Sequence, residues 1–94
     1  MRNYELVCIA QPELDEGAFN GVIEKVSGWV KDSGGNVDKV DVWGKRKMAY
    51  SIRKQREGQY VLINVSLPPT ATAELERNLR LTEPILRFMI TLVD

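Results

Sequence analysis

Histidine is absent from this 94-residue chain, and cysteine occurs once, at Cys8. The first absence removes the commonest general base and the usual zinc ligand; the second rules out an internal disulfide. The seven glycines form neither a G-x-G-x-x-G nor a G-x-x-x-x-G-K-[ST] pattern, so no nucleotide-cradling loop is evident. Carboxylates are scattered rather than paired. Apolar runs reach four to five residues, as in YVLI at 60–63, against the roughly 20 that a membrane-spanning helix needs. The opening MRNYELVCIA has no apolar h-region or small-residue cleavage site, so it does not read as a secretory signal. Together these absences predict a cytoplasmic protein that is not an enzyme, with no metal, no cofactor, no small-molecule substrate and no membrane partner.

What is present suffices for one core. Hydrophobic residues make up 44% and charged residues 28%, a balance that buries a core instead of remaining disordered. At this length the expectation is a single domain over residues 1–94. The net charge of zero hides a separation. Residues 44–56 hold Lys45, Arg46, Lys47, Arg53, Lys54 and Arg56 with no acid among them, while all thirteen acids lie elsewhere. Clustered positive charge is the footprint of a surface that meets a polyanion, because each neutralised phosphate releases condensed counterions. Trp43, Tyr50 and Tyr60 lie within or beside this block. There they can stack on unpaired bases or simply pack on a sheet. A basic run is also a common means of discouraging edge-to-edge aggregation, and both alternatives stand at this point.

Periodicity supplies the architecture. Residues 3–10 alternate, with Tyr4, Leu6, Cys8 and Ala10 on one face of a strand and Glu5, Val7 and Ile9 on the other. Cys8, beside Leu6, reads as a small buried hydrophobe, not a nucleophile. From about Asp15 to Asp32, Phe19, Val22, Ile23, Val26 and Val30 recur at helical spacing, and Gly34 and Gly35 end the helix. A second strand runs from Asn36 with a bulge or bend expected at Gly44. A turn within KQREGQ, residues 54–59, leads to a strand over Tyr60–Leu67. Pro68 and Pro69 stop that strand, and Thr70 or Thr72 is expected to cap a helix that buries Leu75 and Leu79. A last strand follows Pro84. The order βαββαβ predicts an α+β, ferredoxin-like split βαβ sandwich: a four-stranded antiparallel sheet with both helices on one face. The uncovered face then carries Val7, Ile9, Leu62 and Met89, a patch suited to a protein partner.

The opening MRNYEL, the paired glycines before the second strand, the block WGKRKMAYSIRKQREGQYVLINV and the closing LRLTEPILRFMITLV resemble the bacterial ribosomal small-subunit protein six family. The likeness runs in order over nearly the whole chain. Met48 stands where that family more often has Leu, and Ser51 where Pro is frequent. The C-terminal tail of longer members is not expected here. The resemblance implies a structural component of the small ribosomal subunit in the cytoplasm. Such a component binds the central domain of small-subunit ribosomal RNA together with ribosomal small-subunit protein eighteen, supporting assembly and translation. Arg2, Tyr4, Lys45, Arg46, Lys47, Arg53, Lys54, Arg56, Arg80 and Arg87 are the RNA-contact candidates it suggests, with Arg2 and Arg87 expected near one end of the open sheet. Val7, Ile9, Tyr50, Tyr60, Leu62 and Met89 are the protein-partner candidates. All the bases are expected to converge on one outer surface. The alternative on the same architecture is an ACT-like small-molecule-binding regulatory module, which needs a self-associating edge and a polar pocket. An acylphosphatase-like enzyme is disfavoured, since QPELDEGAF after the first strand is acidic where a phosphate-cradling Arg is needed.

Overall fold

A computed structural model describes residues 1–93. In chain order it contains β1 (Arg2–Ala10), α1 (Glu16–Asp32), β2 (Asn36–Ile52), β3 (Gln55–Leu67), a 3-10 turn (Pro69–Ala71), α2 (Thr72–Arg80) and β4 (Ile85–Leu92). The strands form one sheet in the order β2-β3-β1-β4, every neighbouring pair antiparallel. Both helices cover the same face, as the βαββαβ order predicts, so the fold is the ferredoxin-like split βαβ arrangement.

The core follows the periodicities. Tyr4, Leu6, Cys8 and Ala10 of β1 and Val61, Ile63, Val65 and Leu67 of β3 are buried beneath the helices. They meet Phe19, Val22, Val26 and Val30 of α1 and Leu75 and Leu79 of α2. Removing each Val, Leu, Ile or Phe side chain among them from water contributes on the order of 1.5–3 kcal/mol, which offsets the low helix propensity of the glycines in α1. Asp15 starts α1 by accepting a hydrogen bond from the Ala18 N–H at 2.7 Å. The helix ends in a Schellman arrangement: the Gly34 N–H donates to the Lys31 carbonyl and the Gly35 N–H to the Val30 carbonyl, with Gly34 at φ 86°. Gly35 serves a second need. A Cβ there would lie 2.2 Å from the Ser66 carbonyl oxygen, so the helix end can press against β3 only without a side chain.

Two local expectations are corrected. The β2–β3 turn is made by Arg53 and Lys54, at φ 51° and 66°, and Ile52 pairs directly with Gln55. The turn therefore closes before most of KQREGQ, and β3 begins at Gln55 instead of Tyr60. Two successive left-handed residues match the right-handed twist of a hairpin. Gly58, which suggested a turn, is instead buried inside β3, where a Cβ would meet Ile9 Cγ2 at 2.3 Å. The second correction concerns α2: neither Thr70 nor Thr72 accepts a capping bond. The Thr72 hydroxyl donates to the Pro69 carbonyl at 3.0 Å, and Ala71 precedes the helix with no side-chain cap. The turn led by Pro68 and Pro69 supplies the entry, with the Ala71 N–H donating to the Pro68 carbonyl.

Candidate nucleic-acid interface

The hairpin of β2 and β3 outgrows the sheet because the two strands are unequal. β2 runs over 17 residues and β3 over 13, and the surplus is absorbed at three irregularities. Asp38 and Trp43 are each an extra residue in β2, and between Lys47 and Ile52 the four residues 48–51 stand opposite Arg56 alone. Such bulges raise twist and bend a strand. The bend carries the tip toward the loop between α2 and β4, where the Arg53 guanidinium donates to the Glu83 carbonyl at 2.9 Å. Tyr50, in the largest bulge, reaches β4: its hydroxyl accepts a hydrogen bond from Arg87, and the Arg87 guanidinium carbon sits 6.0 Å from the ring centroid.

Register then assigns the faces, since directly opposed residues share one. Val7, Ile9, Tyr60, Leu62, Arg87 and Met89 lie on the face away from the helices. Val7, Ile9 and Leu62 are half-buried there, and Met89 is 54% exposed. Trp43 stacks on Tyr60 with ring centroids 6.3 Å apart, and the Arg46 guanidinium carbon lies 5.3 Å from the Trp43 centroid. The Trp43 indole N–H donates to an Asp41 carboxylate oxygen at 3.2 Å.

The bases do not all converge. Arg53, Arg80 and Arg87 line one depression beside β4, together with Glu76, Phe88 and Met89. Lys47 and Arg56 line a second with Tyr50 and Glu57. Lys45 and Lys47 are opposite Gln59 and Glu57, so they alternate with Arg46, which is opposite Gly58. The projecting ribbon thus carries charge on both its faces, and Lys54 is exposed at its tip. Arg2 stands apart. It is opposite Leu67, whereas Arg87 is opposite Ile9, seven residues further along β1. That places them at opposite ends of the sheet, on the order of 23 Å apart. Arg2 also shares the helix-covered face with Tyr4. The expectation of one common end fails because it lacked the strand register. Tyr4 is 9% exposed and packs in the core, so its ring is not presented to RNA; it belongs to the inward alternation of β1.

Two residues that organise this surface are not evident from the sequence patterns. Gly58 lets the hairpin arm close on Ile9, and a glycine inside a strand pattern is the signal that could have shown it. The Glu83 carbonyl anchors the tip, and no side-chain pattern could have pointed to it. Cys8 is unsuited to nucleophilic chemistry, because burial pushes its thiol up to about 12. Among the described residues there is no group of three or more potential metal ligands, and no helix is long and apolar enough to cross a membrane.

Fold and surface define a ferredoxin-like domain whose distinguishing feature is a long basic hairpin braced by arginine–aromatic contacts. The family model described as Ribosomal protein S6 matches residues 3–91. The small ribosomal subunit protein bS6 of Moorella thermoacetica is 44% identical over 94 residues, covering all of this chain and 96% of that protein. That of Clostridium novyi is 49% identical over 90 residues, covering 96% of this chain and 95% of the relative. The crystal structure of 30S ribosomal protein S6 from Thermotoga maritima superposes with a TM-score of 0.92 at 32% identity, covering 98% of this chain and 87% of that one. The chain belongs to the bacterial ribosomal protein S6 family: a structural protein of the small subunit of the cytoplasmic ribosome, and not an enzyme. The ACT-like alternative is left without support.

Proposed function

We propose that this chain binds the central domain of small-subunit ribosomal RNA jointly with ribosomal small-subunit protein eighteen, supporting subunit assembly and translation. The observation that carries the reading is the concentration of Arg46, Lys47, Arg53, Lys54, Arg56 and Arg87 on or against one bent hairpin, all exposed. A projecting basic ribbon can follow phosphate backbone without reading base edges, so recognition is by shape and charge. The half-buried Val7, Ile9, Tyr60 and Leu62, with exposed Met89, form the apolar floor against which the companion protein packs. Arg80 extends the basic rim, and Arg2 and Lys45 are peripheral contacts.

The test is the affinity for a central-domain RNA fragment, measured with and without protein eighteen across a salt series. Binding should be tight only with the companion present and should weaken steeply with salt. Replacing Arg46 and Lys47 by Ala should lower the log–log salt slope by roughly 0.7–0.9 for each phosphate no longer neutralised. Binding that ignores salt, or that needs no companion, would sink the reading.

A further inference from the structure

Two arginines of the open face differ from the other bases in having aromatic partners. Arg46 lies over Trp43, which is itself stacked on Tyr60 and tied through its indole N–H to Asp41. Arg87 lies over Tyr50 and donates to its hydroxyl. A guanidinium against a ring face keeps its planar fork of N–H groups free at the edge while losing much of its conformational freedom before any ligand arrives. Tyr50 reaches Arg87 only because of the surplus residues 48–51, and Trp43 is the extra residue of its own bulge. Bulges re-aim side chains, and here both place an aromatic ring beside an arginine.

We propose that Trp43 and Tyr50 are positioning residues: they hold Arg46 and Arg87 as two preorganised phosphate-binding forks, and are not themselves platforms for stacked bases. The two arginines occupy the two outer strands on the same face of the sheet. Arg46 is opposite Gly58, two residues along β3 from Tyr60, and Tyr60 and Arg87 both pair with Ile9. Three strand spacings across the sheet and two residues along it separate them, roughly 16 Å, so they engage two separate backbone phosphates. The remaining bases of the hairpin act as less directed positive charge.

The inference rests on the RNA-binding role proposed above and is tested by double-mutant cycles. Affinity for the central-domain RNA fragment, with protein eighteen present, is measured for Trp43→Ala, Arg46→Ala and their combination, and for Tyr50→Ala, Arg87→Ala and theirs. Each aromatic substitution should weaken binding about two- to fivefold, and should have no further effect once its arginine is gone. Tyr50→Phe keeps the ring and should retain part of the affinity. An aromatic substitution that keeps its full effect without its arginine overturns the proposal, since the ring would then contact RNA directly. If Trp43→Ala does not fold, the Tyr50–Arg87 cycle decides. If Lys47→Ala and Arg56→Ala weaken binding while Arg46→Ala and Arg87→Ala do not, this inference falls and the RNA-binding role stands. If none of the four weakens binding, both fall.

Discussion

Gly58→Ala and Gly21→Ala are the same chemical change with opposite expected signs. At Gly58 a new Cβ would lie 2.3 Å from Ile9 Cγ2 and 3.4 Å from the Ala10 carbonyl oxygen. Unstrained carbon–carbon contact begins near ~3.5 Å, so the hairpin arm and β1 must part by about 1 Å or Ile9 must leave its rotamer. Ile9 is branched at Cβ and cannot swing the methyl away cheaply. Overpacking of this kind costs about 1–3 kcal/mol, and the reduced freedom of the unfolded alanine chain returns about 0.4–1 kcal/mol. A net loss near ~1.5 kcal/mol follows, equivalent to a Tm lower by about 6–12 °C for a domain of this size. At Gly21, exposed within α1, a Cβ meets nothing within 4 Å. There alanine should stabilise by about 0.5–1 kcal/mol. Urea unfolding of the two variants, with unchanged m-values, reads both effects as shifts in midpoint. A Gly58→Ala midpoint at or above that of the unsubstituted chain would refute the close approach of β3 to β1 on which the hairpin's placement depends.

Other perturbations probe the remaining layers. Leu75→Ala empties a site that is 2% exposed and should cost about 2–5 kcal/mol in chemical denaturation, with little change in RNA affinity per folded molecule. Lys54→Gly relieves a left-handed non-glycine residue at φ 66° and should raise stability by up to about 1 kcal/mol, while removal of its charge weakens RNA binding; a destabilised variant would contradict the turn geometry. The thiol of Cys8 is raised from its ordinary 9.0 to about 12 by burial, so the folded chain holds that proton more tightly than the unfolded one. Its contribution to stability is complete below pH 9 and is lost as pH rises toward 12. Stability–pH curves of Cys8→Ala and the unsubstituted chain should therefore converge or cross over that interval, and parallel curves would count against burial of the thiol.

The proposed RNA-binding surface has a stability cost at the hairpin tip. Arg53 and Lys54 occupy positions where Asn-Gly would fit the turn with less strain. Two bases there extend the charge of the ribbon to its end, and the Arg53 bond to Glu83 holds that end against the body. Strain kept where binding occurs is a recurring pattern in proteins.

The sequence by itself determined the element order, the inward residues of β1, α1 and α2, the outward placing of Leu62 in β3, and the concentration of charge in one segment. These are local properties: a period of 2 or 3.6, a glycine pair after a helix, and a run of like charges are written in neighbouring residues. It did not determine that the turn falls at Arg53–Lys54, that Gly58 is a point of contact, that Tyr50 reaches Arg87, or that Arg2 and Arg87 lie at opposite ends. Each of these depends on strand register, and register is set by which distant side chains pack against each other. A single surplus residue in β2 changes what every later residue faces, and five such residues accumulate between Asn36 and Ile52. Only the assembled sheet, by fixing those pairings, decided where the positive charge points.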